Sequence, residues 1–302
     1  MTKELIAVIL ALMFVLNMVG CDYSQSTQDA STDTTQTIST NTPQPEETEV
    51  SQSVCESENL INEEARETND IKESADVSSI TASEGKDIPS AMELKQVGSL
   101  QYYLYMPSNP TSDMPLIIYL HGGTNKKEDV TALLTVDGFP QYLYKGYYGD
   151  LRAYVAIPKL DNRHKGWADI SDQIRDLIKT LNSEYAIDMD KISLTGHSMG
   201  GTGTYQLQVK LSNTFSCIAP MSGSIRNSDA TIKALCKTKI WAFVGTEDTI
   251  VSPDSSRTII SELEENGADA KITELEGATH FDVPSLVYKN NELIQWLVNC
   301  GE

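Results

Sequence analysis

The chain has 302 residues, with 43 acidic and 23 basic side chains, a formal net charge of −20 and 40% hydrophobic residues. So acidic a balance excludes a nucleic-acid binder working through a basic footprint, and the length leaves room for one large domain or two small ones. Five cysteines without a Cys-x-x-Cys pair or a His/Cys cluster give no reason to expect a metal centre, and no cofactor motif is present.

Residues 1–20 combine a short polar start, in which Glu4 offsets Lys3, with an apolar run from Leu5 to Val19. A run this short reads as an export signal rather than a membrane span. Met18-Val19-Gly20-Cys21 resembles the lipobox of bacterial lipoproteins, although Met18 stands where leucine is commonest. That resemblance implies lipidation of Cys21 and membrane contact through this anchor alone, at the cell surface. An ordinary cleaved signal or a retained anchor stays open.

Residues 21–90 change character. Thr, Ser, Gln and Glu dominate, and sixteen acidic face three basic side chains between Asp22 and Ser90. Such a segment buries too little apolar surface to offset the entropy of ordering its backbone, so a disordered, solvated tether is expected. Cys55 lies in it. Of the remaining cysteines, Cys217 falls in an apolar strand pattern that favours a buried free thiol, with a Cys217–Cys236 bridge as the rival; Cys300 completes the set and spacing does not choose the pairing.

From residue 91 to 302, strand and helix patterns alternate. Strands are predicted at Leu100–Met106, Leu116–Leu120, Ala153–Ile157, Lys191–Leu194, Ser216–Pro220, Ile240–Val244 and Lys271–Glu274. Helices are predicted over 127–135, 169–185, 200–212, 229–236, 254–266 and 289–299. In the second of these, Ile174, Leu177, Ile178 and Leu181 share one face, with Asp172, Arg175 and Lys179 off it. Continuous apolar strands such as Leu116–Leu120 imply a sheet covered on both faces. The expected class is therefore α/β, a doubly wound and mostly parallel sheet with its site at the carboxyl ends of the strands.

The strand at Lys191–Leu194 runs into Gly196-His197-Ser198-Met199-Gly200, with a helical pattern after it. This is a nucleophile elbow in its strand–turn–helix setting: the turn lifts a serine hydroxyl clear of the backbone, and glycines two before and two after permit the close approach. A serine needs a base, and only four histidines exist. His197 sits on the turn itself and cannot swing back, His164 lies in a polar loop, and His121 ends a strand and organises a glycine loop. His280, after the last strand, is the candidate base. The orienting acid should follow Ile240–Val244, where Asp248 is preferred to Glu247 and to Asp254, which suits a helix start. The N–H groups of Met199 and Gly123 are the candidate oxyanion donors, with Gly122 and Thr124 as near alternatives. Gly122, Thr124, His197 and Trp167 are candidate substrate contacts. The aromatics Phe139, Tyr142, Tyr144, Tyr147 and Tyr148 form either a substrate platform or helix–sheet packing.

These segments resemble the α/β-hydrolase superfamily, in the branch of secreted esterases related to polyhydroxybutyrate depolymerases, feruloyl esterases and the prolyl-oligopeptidase catalytic domain. The likeness rests on Pro115–Gly123, Leu194–Gly201, Ile218–Gly223, Gly245-x-x-Asp248-x-x-Val251-x-Pro253 and Gly277-x-x-His280, and covers 91–302 but not the tether. Val244 departs from it, standing where relatives usually have histidine. The resemblance implies a serine hydrolase acting on a small-molecule or polymer-borne carboxylic ester. The short connections leave little room for a lipase lid or a propeller. A serine peptidase and a non-catalytic surface-binding lipoprotein are the alternatives.

Overall fold

The computed structural model describes residues 92–136 and 138–300; the expected export signal, Cys21, Cys55 and the expected tether lie outside the described residues. Eight strands form one sheet: β1 (Met92–Val97), β2 (Leu100–Tyr105), β3 (Met114–Leu120), β4 (Tyr154–Pro158), β5 (Ile187–His197), β6 (Cys217–Met221), β7 (Lys239–Gly245) and β8 (Ala270–Leu275). Their order is β1-β2-β4-β3-β5-β6-β7-β8, antiparallel from β1 through β2 to β4 and parallel from there on. The helices are α1 (Phe139–Tyr144), α2 (Ser171–Tyr185), α3 (Met199–Lys210), α4 (Asp229–Leu235), α5 (Asp254–Glu265), α6 (Val283–Tyr288) and α7 (Asn291–Val298).

The two-residue period of β3 explains the layering. Leu116, Ile118 and Leu120 enter one apolar cluster with Ile174, Leu177, Ile178 and Leu181 of α2 and Ile259, Ile260 and Leu263 of α5. Ile117 and Tyr119 enter a second cluster, with Phe139 and Leu143 of α1, Val283 and Val287 of α6, and Leu293, Ile294 and Leu297 of α7. Each large side chain so buried contributes about 1.5–3 kcal/mol. A sheet sandwiched this way is the doubly wound α/β architecture its alternating segments imply.

The chain leaves β3 for β4 on one side and returns to β5 on the other, so the connections after β3 and β5 leave to opposite faces of the sheet and open a crevice beyond their carboxyl ends. Leu120 pairs with Gly196 across that boundary, which sets the loop after β3 beside the elbow after β5.

Several elements differ from the sequence expectation. The predicted helix over 127–135 is instead two 3-10 turns, Gly123–Lys127 and Val130–Leu134. Asp129 separates them, its carboxylate accepting the Thr131 N–H at 3.0 Å, so the backbone restarts rather than continues. β1 carries no prediction because it is an edge strand with half-exposed and exposed residues rather than an apolar run. The short helices α1 and α6 each start at or next to a proline and are six residues long, too brief to show a period. Cys217 is a buried free thiol, as is Cys300, so the Cys217–Cys236 bridge does not form. Cys236 is disulfide-bonded. No helix among the described residues is long and apolar enough to cross a membrane.

Candidate active site

Ser198 stands between β5 and α3 with φ 59° and ψ −119°, a conformation that costs a side-chain-bearing residue on the order of 1–3 kcal/mol. The turn is closed by the Ser198 N–H donating to the Met221 carbonyl at 2.9 Å and by the Thr202 N–H donating to the Ser198 carbonyl at 2.9 Å. Its glycines are sterically required. A Cβ at Gly200 would lie 2.0 Å from the Leu120 carbonyl oxygen, and one at Gly196 would lie 2.5 Å from the same atom. Strand β3 thus presses directly on both sides of the elbow.

The loop after β3 is built around His121. Nε2 of its ring accepts the Leu160 N–H at 3.0 Å, and Nδ1 lies 2.8 Å from the Gly122 carbonyl. A backbone N–H can only donate and a carbonyl can only accept, so the proton sits on Nδ1. Burial, reinforced by the nearby Lys159 and Lys126 charges, pulls this imidazole down to about 4 and keeps it neutral. In a trans peptide the C=O and N–H point in opposite directions. Fixing the Gly122 carbonyl on His121 therefore turns the Gly123 N–H of the same peptide away from the ring. Gly122 itself abuts the elbow, since a Cβ there would lie 3.6 Å from the His197 carbonyl oxygen and 3.9 Å from the Ser198 Cβ. On the other side, Met199 opens α3, and the first N–H groups of a helix have no acceptor within it.

Lys159, a residue with no part in the sequence reading, ties this loop down. Its ammonium donates to the Lys126 and Leu160 carbonyls, both at 3.0 Å, and burial lowers its pKa from the ordinary lysine value. Its signal was a lysine directly after the wholly buried strand β4.

Asp248 and His280 meet in a buried pair, Oδ2 to Nδ1 at 2.7 Å. The other carboxylate oxygen accepts the Ile250 and Val251 N–H groups at 2.9 Å each. Burial pushes the Asp248 carboxyl up, but the His280 and Val251 hydrogen bonds and the histidine charge outweigh it and leave the pKa below the ordinary value. The His280 loop is closed by Asp282, whose Oδ2 accepts from the Thr279 N–H at 2.9 Å and from its hydroxyl at 2.6 Å. The His280 ring packs on that of His197, the residue before Ser198, with centroids 4.5 Å apart. Base and acid candidates therefore lie over the elbow. Glu247 is exposed, and Asp254 pairs with Arg257 at 2.7 Å on the first turn of α5, so neither competes for the histidine. Among the described residues no group of three or more His, Cys, Asp or Glu could hold a metal ion.

The family model for the dienelactone hydrolase family matches residues 100–286. The chain belongs to the dienelactone hydrolase family. That assigns it to the α/β-hydrolases, in a family the sequence motifs had not singled out. A bifunctional acetylxylan esterase/xylanase of Neocallimastix patriciarum is 27% identical over 160 residues, 50% of this chain and 22% of that protein. Feruloyl esterase B of Talaromyces stipitatus is 30% identical over 131 residues, 42% of this chain and 36% of that protein. The matches thus span about a fifth and about a third of these relatives' lengths. Among solved structures, a thermostable esterase superposes with a TM-score of 0.61 at 23% identity, covering 70% of this chain and 63% of that one. The feruloyl esterase module of Clostridium thermocellum, complexed with sinapinate, gives 0.56 at 15% identity, covering 67% and 86%. Both share the fold.

Within this dienelactone hydrolase domain, two candidate substrate contacts are placed elsewhere than expected. Trp167 is wholly buried and cannot touch a substrate; it is part of the wall behind the loop. His197 turns its ring into the protein, where Nε2 is buried without a protein partner among the described residues, and burial, aided by the His280 charge, lowers its pKa to about 3. Gly122 is half-buried beside the elbow and Thr124 is exposed. The aromatic run divides: Phe139 and Tyr142 are core residues, whereas Tyr144 and Tyr147 are exposed.

Proposed function

We propose that this chain is a carboxylic ester hydrolase that forms an acyl-enzyme on Ser198. The observation that carries the reading is the buried His280–Asp248 pair lying over a strained serine elbow. Asp248 accepts a hydrogen bond from the Nδ1–H of His280, which leaves Nε2 free to take the Ser198 hydroxyl proton as the oxygen attacks the ester carbonyl. The N–H groups of Met199 and Gly123 receive the developing oxyanion, each such donor lowering the barrier by about 3–4 kcal/mol. His280 then gives its proton to the departing alcohol, and water repeats the sequence to release the acid. His121, neutral and with both nitrogens engaged, takes no part in proton transfer.

Ester cleavage is also the activity named for both curated relatives, one an acetylxylan esterase and one a feruloyl esterase. The preferred substrate is accordingly an acetyl or hydroxycinnamoyl ester carried on a polysaccharide. An enzyme exported through residues 1–20 and held by lipid on Cys21 would meet such a polymer outside the cell.

The test is turnover of p-nitrophenyl acetate, methyl ferulate and acetylated xylan by the purified chain and by Ser198→Ala. Loss of at least about a thousandfold in kcat is expected on removing the nucleophile. A loss below about a hundredfold, or preferential cleavage of peptide amides, overturns the assignment. Detergent-phase partitioning of the full chain, abolished in Cys21→Ala, tests the anchor.

A further inference from the structure

The two proposed oxyanion donors belong to elements far apart in sequence, the turn after β3 and the start of α3. An oxyanion needs both within about 2.7–3.1 Å, so something must fix their separation. The Trp167 indole lies between them. Its Nε1–H donates to the His121 carbonyl at 3.1 Å, and its ring meets the His121 ring edge-on with centroids 4.9 Å apart. Its opposite contact is Gly203, one turn along α3 from Met199. A Cβ at Gly203 would lie 2.6 Å from Trp167 Cδ1 and 2.7 Å from its Cβ and Cγ, so the indole rests directly on the helix backbone. The side chain has no exposed surface and no slack on either side.

We infer that Trp167 is a positioning residue of the oxyanion hole, a rigid spacer between the His121 carbonyl and Gly203 that sets the distance between the Gly123 and Met199 N–H groups. One end of the spacer holds the loop through a hydrogen bond to the residue two before Gly123. The other end bears on the helix four residues after Met199. A shorter side chain lets the loop settle towards α3, and a side chain at Gly203 drives the two apart. Either change misaligns donors that act only when negative charge develops, so it weakens the transition state and leaves ground-state binding alone.

This inference rests on the ester-hydrolase reading of Ser198. Its experiment compares Trp167→Phe and Gly203→Ala with the wild-type chain, using kcat and KM for p-nitrophenyl acetate per titrated active site. Affinity for an alkyl boronic acid, which becomes a tetrahedral adduct on the serine, is measured beside them. Trp167→Phe keeps most of the ring volume but loses the N–H. The expected result is a kcat lower by about 10- to 100-fold, less than the 10²–10³ for deleting a donor outright. KM should stay within about twofold, and boronate affinity should fall in parallel with kcat, as expected of a transition-state interaction. A merely structural role would lower the melting temperature or the fraction of active sites and leave kcat per site and boronate affinity unchanged. That outcome in the folded Trp167→Phe enzyme overturns the proposal. Should that variant not fold, unchanged kcat and boronate affinity in Gly203→Ala overturn it equally. Wild-type turnover that survives Ser198→Ala would instead remove the ester-hydrolase reading, a result independent of either spacer variant.

Discussion

The His197 ring packs against the His280 ring at 4.5 Å between centroids, and burial holds His197 near a pKa of 3. The neutral ring thus adds no positive charge beside the candidate base. With His121 lowered to about 4, two histidines stay unprotonated in the folded chain where the unfolded chain protonates them near 6.5. The unfolded state therefore binds more protons below that pH. The stability is complete above pH 6.5 and is lost as pH falls towards 4 for His121 and 3 for His197. Each histidine contributes a slope of about 1.4 kcal/mol per pH unit in that window. Urea unfolding at pH 7, 6 and 5 should show it, and His197→Phe should remove one proton's worth of the slope. An unchanged slope in that variant would mean that the ring is charged in the folded state.

Asp248 holds His280 in one tautomer through a single carboxylate oxygen. Asp248→Asn keeps the shape but allows the amide to present an N–H to Nδ1, moving the ring proton to the nitrogen that should act as base. The expected loss in kcat is about a thousand- to ten-thousandfold with a folded protein. Circular dichroism and ester turnover on the same sample check it. A variant within tenfold of wild type would show that Asp248 is not the orienting acid.

The φ of 59° at Ser198 is a cost that the fold bears locally. Ser198→Gly relieves it, whereas Ser198→Ala removes the hydroxyl and keeps the strain. Both should be inactive, and the glycine variant should be more stable than the alanine variant by about 1 kcal/mol, or roughly 2–4 °C in melting temperature. Equal melting temperatures would mean that the elbow is relaxed.

Cys217 and Cys300 are free and buried, whereas Cys236 is disulfide-bonded. Peptide mapping without reductant should therefore find Cys236 in a disulfide-linked peptide that contains neither Cys217 nor Cys300. Cys217 and Cys300 should alkylate only after unfolding. A Cys217–Cys236 peptide would contradict the arrangement.

Strand-level order was readable from the sequence because five of the eight strands are dominated by buried apolar side chains, a pattern independent of their neighbours, and β5 buries Ile192 and Leu194 just ahead of its elbow. β1 was not, since an edge strand half exposed to solvent has no such run. That His280 and Asp248 would meet near the Ser198 elbow could be anticipated, because each proposed role calls for a particular residue type at a strand end. Trp167 could not. An aromatic after a strand faces either the substrate or the core, and what decides it is Gly203, a contact across the tertiary fold that leaves no periodic trace.

β8 is the last strand at one margin of the sheet, bonded to β7 alone, and His280 hangs from the loop that follows it. Ser198 instead follows β5, flanked on both sides by strands. Peripheral strands open at lower free energy than central ones, although Arg257 clamps Glu274 of β8 from α5. Warming should therefore silence turnover before the circular dichroism signal falls, with activity returning on prompt cooling. The working lifetime of the protein in heat is then decided at one border of its sheet, by how long its outermost strand keeps that histidine in place.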